Sequence, residues 1–325
     1  MNIHVAIIAL IGGFFLLVKG ADWFVDGSSS IAKLLKVPAI IIGLTIVAFG
    51  TSLPEASVSI SSAIAEKNAL AVSNVVGSNI FNTLVVLGAS ALMLPVRVQP
   101  GSVKKEIPFS ILCTVALLAS LLFGMSTATV GEGAEYTLGW IGGLVLLALF
   151  AFYMYWQISA ALKARHADTA EEDTIKVLSP VKSVLFIVVG IVCIIVGGDL
   201  VVDSASAIAM KWGMSETLVG MTIVAIGTSL PELVTSMVAA KKGESDLALG
   251  NAIGSNIFNI LFVLGLSAVI SPITVDILAV IDTIAVIGVS VLVLVFSATQ
   301  KKISRVEGGI MVAAYIGYFV YMFVR

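Results

Sequence analysis

The sequence has few charged residues, few cysteines and few histidines. Asp, Glu, Lys and Arg form only 12% of its 325 residues, about half the share in soluble domains. The formal net charge is −2 and no long basic run occurs, which excludes nucleic acid as the main partner. Two cysteines, Cys113 and Cys193, and two histidines, His4 and His166, provide neither a disulfide framework nor a zinc site.

Apolar residues are abundant: they form 59% of the chain, and the mean hydropathy is +1.10. Such a chain has too little polar surface to cover a globule in water, so we predict an all-α polytopic membrane protein. A transmembrane helix needs about 20 apolar residues to cross the bilayer core. Ten runs fit, at about residues 5–32, 38–65, 69–94, 107–124, 136–158, 181–210, 214–240, 246–270, 277–298 and 307–324. The first run lacks the basic start of a cleavable signal and is expected to remain as the first span.

The distribution of Lys and Arg predicts the orientation, because cytoplasmic loops are enriched in them. If the N-terminus lies outside, the cytoplasmic loops hold 14 Lys and Arg residues and the outer side holds three, Lys67, Lys211 and Arg325, with Lys19 inside the first span. We therefore expect both termini on the outer, periplasmic side.

The chain repeats itself at an offset of 177 residues. Residues 45–90 and 222–267 share 26 of 46 positions, including Gly-Thr-Ser-Leu-Pro-Glu and Gly-Ser-Asn-Ile-Phe-Asn in both copies. Each copy contains five predicted spans, an odd number, so the second must be inverted in the membrane, as in alternating-access transporters. We predict a first five-helix repeat at 1–160 with its motif at 43–90, a cytoplasmic linker at 161–180, and a second, inverted five-helix repeat at 181–325 with its motif at 220–267.

Glu55 and Glu232 lie near the middle of the second and seventh predicted spans. An ionised side chain there costs about 2.5–3.5 kcal/mol, so these glutamates indicate a functional site. Pro54 and Pro231 each remove a backbone N–H and free the carbonyl four residues earlier. Carboxylate, hydroxyl, amide and carbonyl oxygens are ligands for hard cations such as Ca²⁺. One Ca²⁺ and more than two Na⁺ could not share these oxygens, so binding of one ion would displace the other.

The paired motifs resemble the alpha-repeats of the calcium/cation antiporter superfamily, and the sodium/calcium exchanger branch fits best. The resemblance covers essentially the whole chain and points to bacterial inner-membrane members. It implies a membrane antiporter, not an enzyme, that exchanges Ca²⁺ for Na⁺ by alternating access and needs no cofactor. It also implies that the first and sixth helices, with Gly12-Gly13 and Gly197-Gly198, slide past the ion-binding core.

The resemblance also implies the ion ligands, by motif position. Glu55 and Glu232 would be the principal ligands, and Thr51 and Thr228 would complete the cation shell with the carbonyls of Ala48 and Ala225. Four serines would bind Na⁺, and two asparagines would provide the remaining ligands at the centre of the site: Ser52, Ser229, Ser78, Ser255, Asn82 and Asn259. Some family members carry aspartate in place of Asn259, so the charge here is lower.

Three alternatives remain open on the sequence. Two neighbouring carboxylates repel each other, and one of them could hold a proton, which would give a Ca²⁺/H⁺ or Na⁺/H⁺ antiporter on the same fold. An intramembrane aspartyl hydrolase is disfavoured by the spacing of its candidate aspartates, and a passive channel by the tightness of a deep divalent site. The expected partners are the lipid bilayer and inorganic cations, and we expect a functional monomer.

Overall fold

The structure is a computed structural model that describes residues 3–65, 68–126, 135–166, 177–215 and 219–324. Most of these residues are helical. The α-helices are α1 Ile3–Leu35, α2 Ala39–Ile42, α3 Ala48–Thr51, α4 Leu53–Ile64, α5 Asn68–Phe81, α6 Leu87–Met93, α7 Pro100–Lys104, α8 Glu106–Phe123, α9 Trp140–His166, α10 Pro180–Lys211, α11 Ala225–Gly227, α12 Leu230–Lys241, α13 Ser245–Phe258, α14 Gly265–Ile270, α15 Ile277–Gln300 and α16 Arg305–Val324. Four π-helical segments connect some of them: π1 Gly43–Val47, π2 Asn82–Val86, π3 Gly220–Val224 and π4 Asn259–Leu264.

Several helices are long and apolar enough to span a membrane. Among the described residues there are seven such helices, and an eighth if the bent pair Ala39–Thr51 and Leu53–Ile64 counts as one broken span. The chain is therefore a helical, polytopic membrane protein, as predicted. The predicted seventh span, 214–240, includes residues 216–218, which lie outside the described residues. The count of ten stays a prediction.

Five short strands join loops that are distant in sequence. They are β1 Val96–Arg97, β2 Met125–Ser126, β3 Glu135–Leu138, β4 Ile273–Val275 and β5 Lys302–Ile303. Strands β1 and β5 form an antiparallel pair, and β2, β3 and β4 form a second antiparallel sheet in that order. The first pair joins two loops predicted on the cytoplasmic side, and the second sheet joins two loops predicted outside. The pairing thus agrees with the predicted alternation of these loops.

Two helical stretches form the centre of the molecule. In Leu70–Met93 and in Ser245–Ile270, 78% of an apolar 18-residue window is buried, against 22–33% of the corresponding window in the other candidate spans. Both stretches carry the repeated Gly-Ser-Asn-Ile-Phe-Asn motif. The polar residues of both copies of the motif therefore lie in the interior of the protein rather than against lipid.

Helices α1 and α10 pack against each other as an antiparallel pair. A methyl group built at Gly13, Gly20 or Gly27 would lie 2.7–2.9 Å from the carbonyl oxygen of residue 197, 190 or 183, respectively. The contacts recur every seven residues, or two turns, and run in opposite directions along the two helices. Small residues allow such close approach of backbones in membranes.

We expect Gly13→Ala to lower the melting temperature of the detergent-solubilised protein. The added methyl group would lie 2.9 Å from the Gly197 carbonyl oxygen, and overpacking of this kind costs about 1–3 kcal/mol. Gly12→Ala is the matched control, because a methyl group there would meet no described atom within 4 Å outside its own stretch of helix. A melting temperature for Gly13→Ala equal to that of Gly12→Ala would contradict the close packing.

The segment predicted as a cytoplasmic linker, 161–180, is helical at its start. Helix α9 continues to His166, six residues into the predicted linker, and α10 begins at Pro180. Residues 167–176 lie outside the described residues. The span predicted to end at 158 is thus longer than its apolar run, because a helix can extend beyond the bilayer core into water.

Candidate functional site

Two broken helices carry the repeated glutamates. The first breaks at Ser52, which has φ −86° and ψ 10°, and its two parts are bent by 52°. The second breaks at Ser229, with φ −91° and ψ 5°. Pro54 and Pro231 lie in the first turn of the following helices, α4 and α12, where a missing N–H costs nothing.

This local geometry also suits the acids. Glu55 and Glu232 both lie in the first turn of their helices, and the helix N-terminus carries a partial positive charge that stabilises a carboxylate. Both side chains are completely buried. A kink in each span therefore provides a favourable position for a negative charge inside the protein.

The π-helical segments also recur at the offset of 177 residues. Segments π1 and π3 begin at Gly43 and Gly220, and π2 and π4 begin at Asn82 and Asn259. Such wide turns occur often at functional sites, because they break the regular hydrogen-bond ladder. Hydropathy and spacing gave no indication of them.

Serines from one half of the chain bond the glutamate of the other half. Ser52 donates to Glu232 Oε1 at 2.7 Å, and Ser229 donates to Glu55 Oε1 at 3.0 Å. Serines of the neighbouring helices complete each pair: Ser78 donates to Glu55 Oε1 at 3.3 Å and Ser255 to Glu232 Oε1 at 3.5 Å. Ser78 and Ser229 also lie 2.9 Å apart. The two halves thus share one buried site.

A second pair of equivalent bonds fixes the glutamate backbones. Asn74 Nδ2 donates to the Glu55 carbonyl at 3.4 Å, and Asn251 Nδ2 donates to the Glu232 carbonyl at 3.3 Å. These two asparagines thus hold the backbone beside each glutamate. Asn251 does more, because its Oδ1 accepts the Thr51 hydroxyl at 2.9 Å.

Several buried oxygen atoms at the site have no hydrogen-bond partner within the described part of the protein. They include one oxygen of each glutamate, two amide oxygens and one hydroxyl: Glu55 Oε2, Glu232 Oε2, Asn82 Oδ1, Asn259 Oδ1 and Thr228 Oγ1. Buried polar atoms without a partner are rare and call for an explanation. Acceptors of this type would be satisfied by a cation.

The Ala48 carbonyl, which the resemblance implied as a ligand, is already engaged. It accepts the Ser52 N–H at 3.1 Å, and the Thr51 hydroxyl oxygen lies 3.3 Å away. The Thr51 hydroxyl has a single proton, and its shortest acceptor is Asn251 Oδ1 at 2.9 Å. A carbonyl has two lone pairs, so with the Thr51 proton on Asn251 the Ala48 carbonyl keeps one lone pair for a cation.

The two halves differ in exposure on one side of the site. Val47 is 1% exposed, whereas Val224, its equivalent 177 residues later, is 41% exposed. Ala48 is buried, whereas Ala225 is exposed. Because the local sequences are nearly identical, the difference must come from the packing of the neighbouring helices.

Helix α13 covers the buried side. A methyl group built at Gly254 would lie 2.7 Å from Ala48 Cβ and 2.8 Å from Leu44 Cα. At the equivalent Gly77, such a group would meet no described atom within 4 Å outside its own stretch of helix. The packing between α5 and α11 on the side of Ala225 is therefore looser than the packing between α13 and α3 on the side of Ala48.

The donor set favours hard cations. It consists of carboxylate, hydroxyl and amide oxygens, which suit Ca²⁺ and other oxygen-seeking ions. Among the described residues there is no cluster of three or more His, Cys, Asp or Glu side chains, so the negative charge at the site comes from two glutamates. Their total charge equals that needed to balance one divalent cation.

The chain is similar to known membrane proteins. The protein-family model described as "Sodium/calcium exchanger protein" matches residues 5–159 and 182–324. Over 277 residues the chain is 38% identical to Inner membrane protein YrbG of Escherichia coli (strain K12), covering 83% of this chain and 81% of that protein. Over 350 residues it is 32% identical to Sodium/calcium exchanger MaX1 of Methanosarcina acetivorans, covering 99% of each.

A solved structure has the same fold. It is the sodium-calcium exchanger NCX_Mj, soaked with 2.5 mM Na⁺ and 0.1 mM Ca²⁺, and it matches with a TM-score of 0.80 and 32% sequence identity. The match covers 96% of this chain and 96% of that chain. The likeness therefore extends over the complete fold rather than over one motif.

Proposed function

The chain belongs to the sodium/calcium exchanger protein family, and from that membership we propose that it exchanges Ca²⁺ for Na⁺ across a membrane by alternating access. The relative YrbG is named an inner membrane protein, and we assign this chain to a bacterial inner membrane. The family is one of transporters, and the chemistry proposed here is binding and release of ions without a cofactor.

The observation that carries the proposal is the set of buried oxygen atoms around the two glutamates. Glu55 Oε2 and Glu232 Oε2 have no hydrogen-bond partner among the described residues, and neither do the amide oxygens of Asn82 and Asn259. An unpaired buried charge is costly, and a bound cation would remove that cost. We therefore propose these four residues, with Thr51, Thr228, Ser52, Ser229, Ser78, Ser255 and the carbonyls of Ala48 and Ala225, as the ion-binding site.

Neutral oxygens support Na⁺ as the coupling ion. Hydroxyl and amide groups outnumber carboxylates at the site, and they can bind monovalent ions without added charge. Ca²⁺ needs six to eight oxygen ligands, so its binding would occupy most of the oxygens that Na⁺ would use. Competition for the same ligands supports antiport rather than cotransport.

The unequal exposure of the two halves supports alternating access. Ala225 and Val224 are exposed, and we propose that they line a crevice, whereas Ala48 and Val47 are buried. In the proposed architecture, ten spans form two inverted repeats at 1–160 and 181–325, joined by a cytoplasmic linker at 161–180, with both termini outside. The crevice then opens to the outer side, and an exchange of roles between the halves would open the inner side.

We expect Na⁺-loaded proteoliposomes to accumulate radioactive calcium when diluted into Na⁺-free buffer at equal pH. The Na⁺ gradient supplies the free energy, because release of Na⁺ to the outside leaves the binding site free to take up Ca²⁺ from that side. Protein-free liposomes serve as the control. Proteoliposomes prepared without Na⁺ and given a pH gradient should show only background calcium uptake.

Each arm of this experiment has a distinct meaning. Uptake driven by the pH gradient alone would replace Na⁺ by H⁺ as the coupling ion and support the alternative on the same fold. Uptake that continues without either gradient and follows the calcium gradient alone would indicate a channel. Uptake in no arm would overturn calcium transport.

A further inference from the structure

A chain of side-chain amides links the two central helices next to the glutamates. Asn79 Nδ2 donates to the backbone carbonyl of Asn256 at 3.2 Å. Asn79 Oδ1 in turn accepts Asn259 Nδ2 at 3.2 Å. Both side chains are buried, with Asn79 1% and Asn259 0% exposed. Asn79 thus lies between a carbonyl group and a residue of the proposed ion site.

The direction of this chain is fixed at one end. A backbone carbonyl can only accept, so the NH₂ group of Asn79 must face Asn256. The Asn79 oxygen must then face Asn259, and Asn259 must present its own NH₂ group to it. The oxygen of Asn259 is consequently turned the other way, where it is buried and has no hydrogen-bond partner within the described residues.

Asn256, the residue equivalent to Asn79 in the second half, does not orient an amide of the ion site. Asn256 Nδ2 donates to the Thr83 hydroxyl at 2.8 Å, and Thr83 donates to the Asn79 carbonyl at 2.7 Å. The position equivalent to Thr83 is Ile260, so this hydroxyl has no counterpart. Asn256 Oδ1 has no partner among the described residues, so it does not orient Asn82.

We propose that Asn79 is a positioning residue: it holds the amide of Asn259 so that its oxygen, and not its NH₂ group, faces the cation. The inference rests on the proposed function, because it requires a cation at the site. Asn259 has no charge that would fix its orientation, and a turned amide would present a positive dipole end to Ca²⁺. An aspartate at 259 would present oxygen in either orientation and would not need Asn79.

The experiment measures calcium affinity of the purified protein by titration calorimetry, with Ca²⁺ alone as the ligand. We expect Asn79→Leu to weaken binding about tenfold or more, the usual effect of losing a partner that orients a metal ligand. The second measurement places Asn79→Leu in an Asn259→Asp background. There we expect the affinity to stay within about threefold of Asn259→Asp alone, because both carboxylate oxygens are acceptors.

Thr83→Val is the matched control, because Thr83 is buried in the same network but does not bond Asn259. It should change the affinity by less than about threefold while lowering the melting temperature, since it removes two hydrogen bonds. If Asn79→Leu does not fold, Asn79→Ala removes the same acceptor with a smaller side chain and is measured in both backgrounds.

The outcomes separate the inference from the proposed function. An unchanged affinity in Asn79→Leu, or an equal loss with and without Asn259→Asp, would overturn the positioning role. A loss that disappears in the Asn259→Asp background would support it. Absence of calcium binding by the wild-type protein would instead overturn the proposed function, and the positioning role with it.

Discussion

Glu55→Gln and Glu232→Gln should each abolish sodium-driven calcium uptake in proteoliposomes. Glutamine has the same shape as glutamate, and its side-chain oxygen can still accept the hydrogen bond that Ser229 donates to Glu55 or that Ser52 donates to Glu232. It removes one of the two negative charges that would balance Ca²⁺. Removing one partner of a buried ion pair costs about 3–5 kcal/mol, which corresponds to roughly two to four orders of magnitude in binding.

The variants should remain folded, because the serine bonds and the packing around the carboxylates are retained. Melting temperatures near that of the wild type would show this. Glu135→Gln is the control, since Glu135 is an exposed residue of strand β3 and its charge lies outside the site. Wild-type uptake by either site variant would show that the glutamates are not the ion ligands.

Much of this site could be predicted from the sequence, because the site is formed by two copies of a repeated motif. The offset of 177 residues pairs Glu55 with Glu232 and Ser78 with Ser255, and each of these serines bonds the glutamate of its own half. Hydropathy placed the acids inside spans, and proline placed a break beside them. These features depend on local sequence, which is why they could be predicted.

Other features depend on how the halves meet. Ser52 lies three residues before Glu55 in the sequence, but its hydroxyl bonds Glu232 in the opposite half. Likewise, Asn79 and Asn256 occupy equivalent positions in the repeated motif. Their bonding differs because Thr83 occurs in the first half only. Such tertiary contacts have no signal in periodicity or composition.

The unequal exposure of Ala48 and Ala225 could not be predicted for a different reason. Nearly identical sequences surround both residues, so residue type does not account for the difference. Under the proposed alternating access, each state is asymmetric although the repeats are alike. The exposure of Ala225 would then be a property of one state, and it can be tested as such.

We expect Ala225→Cys to react with a membrane-impermeant thiol reagent from outside roughly tenfold or more faster than Ala48→Cys, because thiol labelling requires access. Both are measured in sealed right-side-out vesicles, in a background in which Cys113 and Cys193 are replaced by Ser. The two positions are equivalent in the repeat, so each is the control for the other. Equal rates would contradict the one-sided crevice.

The same pair of cysteines tests the exchange of roles between the halves. If the protein alternates, a reagent applied from the cytoplasmic side should label Ala48→Cys at a rate set by the population of the opposite state, and should not reach Ala225→Cys. Conditions that promote turnover, with Na⁺ on one side and Ca²⁺ on the other, should raise the rate at Ala48→Cys, because ions shift populations only by binding the two states differently. A cytoplasmic labelling rate at Ala48→Cys that stays at background during measured exchange would exclude access through this face. Transport would then have to use another path to the glutamates.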